Sequence, residues 1–310
     1  MSKFNIWMAQ IRANFLILSV FLVLIGLSLS IKYPHESVME FNYLNAFLLI
    51  FGVVLAHISV NLFNEYSDYY TRIDFKTSRT PFSGGSGMMV SGKSKPSEVL
   101  IVAIITLVTA FGIGVYFSVI SHWSVIIISI LGAFSIVFYT NFLAKKMLGE
   151  LFAGLALGSL VVLGAYIAMS ASQTMTLISL LPAEVAWLSI PPGILTALLL
   201  FINQFPDMEA DIEGGRKHLV IRLGRKKSAW VYATGMFLTF AIILILPLIG
   251  LSSYWIYLAL IPIPLAVKAS ITAIKSGEIN NKLIPALGSN VLTVLSTDLL
   301  IAVAIFIDVF

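Results

Sequence analysis

Apolar residues gather along this chain in long blocks divided by polar stretches. A helix needs about 20 mostly apolar residues to cross the hydrocarbon core of a bilayer. By that measure nine spans are predicted, at roughly 14–31, 42–63, 98–120, 122–140, 149–170, 185–204, 228–249, 251–272 and 285–308. The first block is too long for a signal-peptide core and no convincing small-x-small cleavage site follows it, so it reads as a retained helix. The expectation is a single all-α integral membrane domain over residues 1–310.

Composition agrees, because 59% hydrophobic residues with 11% charged cannot cover a soluble globule with a wet surface. If the amino terminus is cytoplasmic, every one of the 19 Lys and Arg residues except Lys32 falls on the cytoplasmic side. That is the positive-inside pattern of a multi-pass protein of the cell membrane. The formal charge of +4 is therefore no sign of nucleic-acid binding, since the basic residues flank membrane helices and face an anionic leaflet of lipid. The absence of cysteine removes disulfides and thiolate metal ligands. External connections are short apart from about 171–184, whereas the cytoplasmic loops at about 65–97 and 205–227 are long and charged, as functional loops are.

Each of those two loops begins with an acidic word. Asn64-Glu65-Tyr66-Ser67-Asp68 runs on to Asp74, and Asn203-Gln204-Phe205-Pro206-Asp207 runs on to Asp211. They align as Asn, acid or amide, aromatic, any residue, Asp, and end the second and sixth predicted spans. This faint repeat predicts two four-helix halves plus a ninth helix around a central cavity, with the two words meeting across it. On a helix, residues four apart share a face, so His57, Asn61, Asn64 or Glu65, and Asp68 make one polar stripe, and Asn203, Asp207 and Asp211 another. Asp74 lies off the first face, so the chain loosens before it.

Carboxylates beside hydrocarbon are costly, and two matched clusters imply one shared task. Six oxygen-bearing side chains, Asn64, Asp68, Asp74, Asn203, Asp207 and Asp211, suit Mg2+, which binds through a few carboxylates together with phosphate and water. The implied ligand is a phosphate or diphosphate. Arg72, Lys76, Arg79, Lys145, Lys146, Arg216 and Lys217 are available to neutralise its oxygens, and the stretch Pro81-Phe82-Ser83-Gly84-Gly85-Ser86-Gly87 to lay donors against it. Any one of these charges taken alone reads as a headgroup-facing residue, and His57 as a packed helix residue. The matched pair of clusters carries the inference. Asp298 is an acid inside the ninth span, expected either to pair with His57 or to line the cavity. A secondary cation transporter with repeated ion-binding motifs is the alternative from another class. The placement of both words at cytoplasmic helix ends beside basic loops favours an enzyme.

The words Asn64-x-x-x-Asp68 with Asp74 and Asn203-x-x-x-Asp207-x-x-x-Asp211, followed by Gly215-Arg216-Lys217-His218-Leu219-Val220-Ile221-Arg222-Leu223-Gly224, resemble the UbiA superfamily of intramembrane prenyltransferases. The Asp68 to Asp74 spacing, Tyr139-Thr140 and Leu148-Gly149-Glu150 are most like its 1,4-dihydroxy-2-naphthoate (menaquinone) branch. The resemblance implies two Mg2+ ions held by the two motifs against a prenyl diphosphate, ionisation to an allylic carbocation, and attack by a small lipophilic aromatic acceptor. Acceptors of haem, chlorophyll-like or glycerol-phosphate type belong to the same class. In these terms Asp68, Asp207, Asn64, Asn203 and Tyr139 are the expected catalytic residues. Arg72, Lys76, Arg79, Lys145, Lys146, Lys217 and Ser83 are the expected diphosphate contacts. Tyr66, Tyr69, Tyr139 and Phe205 offer π faces to the cation. Glu65 stands where many relatives have Asp, and Phe205-Pro206 where naphthoate enzymes often carry a basic residue.

Overall fold

Backbone in a low-dielectric surrounding is satisfied only in helices or closed barrels, long continuous apolar segments suit helices, and the described residues contain helices and no strand. The computed structural model describes residues 1–35, 41–276 and 280–310, with side chains in the last segment from 282 onward. In chain order the α-helices are α1 Lys3–Gln10, α2 Ile17–Lys32, α3 Tyr43–Tyr70, α4 Ile73–Lys76, α5 Pro96–Ile120, α6 Ser124–Phe138 and α7 Gly149–Gly154. They continue as α8 Leu160–Ser170, α9 Ala183–Leu188, α10 Ile190–Glu213, α11 Leu219–Leu223, α12 Arg225–Leu248, α13 Ile263–Ser276 and α14 Asn280–Ile307.

Counting helices that continue through 3₁₀ or π turns as one, eight among the described residues are long and apolar enough to cross a membrane: Ala13–Lys32, Tyr43–Tyr70, Pro96–Ile120, Gly149–Ser170, Ala183–Glu213, Arg225–Leu248, Tyr254–Ser276 and Lys282–Ile307. The predicted fourth span, 122–140, is the exception. It is realised as the 15-residue α6, because Ser121 and His122 are tied into a polar turn before it and Tyr139-Thr140 leave the helix after it.

Two spans are longer than the apolar pattern indicates. α3 runs seven residues past 63, to Tyr70, and α10 continues through Pro206 to Glu213. In both extensions the polar residues turn inward: Glu65 and Asp68 on α3, and Gln204 and Asp211 on α10, are buried. The acidic words thus lie on helical turns rather than in loops. α10 is the most buried of the eight spans and is gripped between α7, α12 and α14. Its crossing with the Gly149–Ser170 span is made of backbone: a Cβ on Gly158 would stand 2.6 Å from Gly193 Cα, and one on Gly154 2.7 Å from the Gly193 carbonyl. Small residues at such crossings let helices approach closely where no hydrophobic driving force exists between them. A π turn at Leu155–Ser159 lies at the same crossing, where Ser159 Oγ donates to the Ser189 carbonyl at 2.9 Å.

Candidate active site

The polar stripe of α3 divides by height. His57 Nδ1 is bonded to Ser19 Oγ at 2.6 Å, and Asn61 Nδ2 donates to the Ile11 carbonyl at 2.9 Å, which docks the amino-terminal segment onto α3. That segment delivers Arg12, in a left-handed backbone conformation with φ +51°, to Glu65 at 3.4 Å. Asn64 Oδ1 accepts from Thr140 Oγ1 at 2.8 Å. Asp68 receives the guanidinium of Arg216.

Arg216 is the joint between the two motifs. One terminal nitrogen donates to Asp68 on α3 and the other to Asp211 on α10 at 2.8 Å. Burial alone would lower the guanidinium's pKa, but Asp68 and Asp211 outweigh it and hold the pKa above its ordinary value. His218 completes the arrangement. Its Nδ1 accepts from Ile221 N–H at the start of α11, so its Nε2–H is the donor to Asp211 Oδ2 at 3.0 Å. Asp211 is thereby engaged on both oxygens, whereas Asp207 Oδ1, Asn203 Oδ1 and Gln204 Oε1 are buried with no hydrogen-bond partner.

Asp74 reaches the same place by another route. α3 ends at Tyr70, Arg72 takes φ +64°, and α4 turns the carboxylate inward, with Ile73 packed on Gly214 at the end of α10. Asp74 is 3% exposed. Burial, then the carboxylates of Asp68 and Glu65, push its carboxyl up to about 8 against the pull of Arg12 and Arg79. The glycine-rich loop closes over it. Gly84, Gly85 and Gly87 have φ +87°, +68° and +70°, and Ser86 donates through both N–H and Oγ to Glu65, each at 2.6 Å. The N–H groups of Phe82 and Ser83 are taken by Thr80 Oγ1, so three of the loop's backbone donors are spent on the protein itself.

Two cavities meet here. A polar one of about 100 Å³ is lined by Asn64, Asp68, Asp74, Asn203, Gln204, Asp207, Asp211, Arg12, Arg216, His218 and the loop residues Ser83 to Gly85. An apolar one of about 310 Å³ runs between α3, α5, α6, α8 and α10. They share Arg12, Asn64, Phe82, Tyr139, Leu200 and Asn203.

All six expected metal ligands, together with Tyr139 and Ser83, therefore line the polar cavity. Among the described residues Arg72, Lys76, Arg79, Lys145, Lys146 and Lys217 do not. Arg72 lies against the Phe75 ring, Lys76 pairs with Glu213 at the surface, Arg79 holds the Asp74 carbonyl, and the other three are exposed. Of the four aromatic candidates Tyr139 lines the cavity. Tyr66 packs tilted and Tyr69 edge-on against Tyr70, and Phe205 is buried against Phe201. Asp298 is fully buried with neither oxygen hydrogen-bonded, and it lines neither cavity. Sequence reasoning missed Arg12 and His218 as site residues. Arg12 was legible as a cation next to an apolar block, a signal that topology alone also explains.

The donor set suits a hard cation. It is all oxygen apart from the arginines and His218, and three of its buried oxygens lack partners, which native interiors seldom leave so. Among the described residues no three His, Asp or Glu side chains are assembled closely enough to cage an ion. Mg2+ does not require such a cage, since it retains water and takes phosphate oxygens alongside one or two carboxylates.

Helices around an apolar cavity capped by paired acidic motifs define a helical protein with an amphipathic site, an apolar chamber meeting a polar, carboxylate-lined head. The chain belongs to the UbiA prenyltransferase family, whose pattern matches residues 19–286. The 1,4-dihydroxy-2-naphthoate octaprenyltransferase of Bacillus subtilis (strain 168) is 27% identical over 291 residues, covering 93% of this chain and 88% of that one. In fold the chain resembles the apo structure of a UbiA homolog from Aeropyrum pernix K1, with a TM-score of 0.73 at 16% identity over 96% of this chain and 98% of that one. A UbiA homolog from Archaeoglobus fulgidus, solved bound to DMAPP and Mg2+, superposes with a TM-score of 0.54 at 13% identity over 97% and 98%.

Proposed function

We propose that this prenyltransferase moves a prenyl group from a prenyl diphosphate to an aromatic acceptor of the 1,4-dihydroxy-2-naphthoate kind, in menaquinone-like lipid-quinone biosynthesis. The observation that carries the reading is the junction of the two cavities, where an anion-binding head meets an apolar tunnel at Asn64, Tyr139 and Asn203. The naphthoate enzyme of B. subtilis and the DMAPP- and Mg2+-bound homolog support the acceptor class and the donor class respectively.

Asn64, Asp68 and Asp74 from one motif and Asn203, Asp207 and Asp211 from the other would hold two Mg2+ ions, whose charge stabilises the departing diphosphate. Arg216 and Arg12, the cations lining the polar cavity, offset the negative charge that gathers on the diphosphate oxygens as the carbon–oxygen bond breaks. Ser83 offers a hydroxyl to the same oxygens. The allylic cation forms at the junction, where the Tyr139 ring attracts it; the acceptor ring attacks there, forming a carbon–carbon bond as the diphosphate leaves, and regains aromaticity by releasing a ring proton or its carboxyl group as CO2. The glycine loop, held by Glu65, keeps water from the cation. The exposed Arg72, Lys76, Arg79, Lys145, Lys146 and Lys217 draw anions toward the mouth rather than touch them.

The site lies near the cytoplasmic face of the cell membrane in one domain over 1–310, with the amino terminus cytoplasmic. The short α6 crosses as the fourth of nine spans, completing two four-helix halves and a last helix. The asymmetry of Lys and Arg supports this orientation.

The test is product formation by purified protein in detergent, with a prenyl diphosphate, 1,4-dihydroxy-2-naphthoate and Mg2+, read by mass spectrometry. A prenylated naphthoate that vanishes with chelator and in Asp68→Ala and Asp207→Ala is expected. Product with 4-hydroxybenzoate or glycerol phosphate alone would replace the acceptor, and metal-independent binding of the diphosphate would overturn the clamp.

A further inference from the structure

Two aromatic side chains, Tyr139 and Phe82, border both the polar and the apolar cavity. Tyr139 directly follows α6, whereas Phe82 comes from the glycine loop, whose other residues at the polar cavity are the small Ser83, Gly84 and Gly85. The tip that carries Phe82 is closed on itself. Thr80 N–H donates to the Ser83 carbonyl at 3.1 Å, and Thr80 Oγ1 accepts from the N–H groups of Phe82 at 3.1 Å and Ser83 at 2.9 Å. Between them Pro81 fixes its own backbone φ. The Phe82 ring is half-buried, packs against the apolar core, and meets α14 where that helix has no side chain: a Cβ built on Gly288 would stand 3.3 Å from Phe82 Cζ. The polar groups of this tip are thus spent on one another, and what it brings to the junction of the two cavities is a phenyl ring.

The remaining residues shared by the two cavities are Arg12, Asn64, Leu200 and Asn203. When the carbon–oxygen bond of a prenyl diphosphate breaks, both bonding electrons leave with the diphosphate and one positive charge is left spread over the allylic carbons. Arg12 repels that charge and Leu200 is indifferent to it. An aromatic face attracts it, most strongly where water is excluded. Resting on the prenyl-diphosphate reading above, we propose that Phe82 is a catalytic residue in addition to Tyr139. Its ring face attracts the allylic cation from the loop side, forms no bond to it, and is unchanged once the acceptor ring has supplied the electron pair of the new carbon–carbon bond. An apolar plug at this position would seal the junction against water but would not attract the charge, and the two roles part on the electron density of the ring.

The test places phenylalanines carrying one, two and three ring fluorines at position 82 of the full chain. Each fluorine withdraws electron density from the ring face while adding little volume, so the series weakens the attraction and keeps the plug. Two quantities are measured in detergent: Mg2+-dependent binding of a two-unit prenyl diphosphate, and its single-turnover consumption with an aromatic acceptor that gives product. Phe82→Leu and Phe82→Tyr are measured beside the series.

The expected result is a single-turnover rate that falls stepwise with each added fluorine while binding of the diphosphate is little changed. Phe82→Leu is expected to lose about thirtyfold in the same rate, the size of a desolvated cation–π contact, and Phe82→Tyr to keep most of it. A rate that is flat across the fluorine series overturns the proposal. In that case a slow Phe82→Leu would mark a seal against water, and a fast one a residue without part in the reaction. Wild-type protein that binds no prenyl diphosphate in the presence of Mg2+ removes the reading on which the proposal rests.

Discussion

Gly85 leaves room for Asp74: a Cβ at position 85 would stand 2.6 Å from the Asp74 Oδ1, and the φ of +68° there is one that L side chains seldom adopt. The first motif thus extends beyond its helix into the glycine loop. Gly85→Ala should cost about 1–3 kcal/mol of local backbone strain and push the carboxylate out of the polar cavity. The expected outcome is folded protein, recovered in normal yield from detergent, with product formation down at least tenfold. Full activity at an unchanged melting midpoint would show that the loop does not constrain Asp74.

Glu65 stands in the acidic word yet does not line the polar cavity, accepting two hydrogen bonds from Ser86 and one from Arg12. Bonds to a charged group contribute about 1.5–3 kcal/mol each. Glu65→Ala should therefore free the loop and the amino-terminal segment together. Limited proteolysis is the readout: cleavage within residues 77–95 should appear in the variant under conditions that leave wild type intact, and KM for the diphosphate should rise. Glu65→Gln, which keeps an acceptor, should show a smaller change in both.

Asp207 holds a buried oxygen without a partner, as Asn203 and Gln204 do beside it. A group poised for a ligand contributes little to the ligand-free fold, so Asp207→Asn should leave the melting midpoint without Mg2+ unchanged or slightly raised. Its cost should appear in function, as a loss of at least a hundredfold in turnover and of the midpoint rise that Mg2+ with a prenyl diphosphate gives wild type. A variant that melts much lower without metal would instead make Asp207 a structural residue.

The reach of the sequence differs from one part of this molecule to another for physical reasons. The spans were legible because hydrocarbon admits few residue types, and five of the six motif side chains that line the polar cavity because helical spacing puts them on shared faces, whereas Asp74 arrives there only through the left-handed turn at Arg72. The end of α3 at Tyr70 was not, since an apolar count stops where inward-facing polar residues such as Glu65 and Asp68 begin. The charges of the site were the least legible. Composition offers many loop cations, but which of them turns inward depends on tertiary contacts, and Arg12 does so because Asn61 captures the Ile11 carbonyl.

Arg216 couples the two motifs, and its removal separates folding from ion binding. Breaking a buried ion pair costs about 3–5 kcal/mol, and with the guanidinium 15% exposed the lower end applies to Arg216→Gln. The variant leaves Asp68 and Asp211 facing one polar cavity without their shared counter-charge. A cation that binds the folded state then stabilises it by an amount that grows with its affinity. Mg2+ should accordingly raise the melting midpoint of Arg216→Gln more than that of wild type, even as turnover falls. In Arg216→Gln combined with Asp68→Asn the loss of stability should be less than the sum of the two single losses, because each single change already breaks the same pair. Strictly additive losses, with equal Mg2+ shifts in wild type and variant, would mean that the α3 and α10 motifs are held together by helix packing alone.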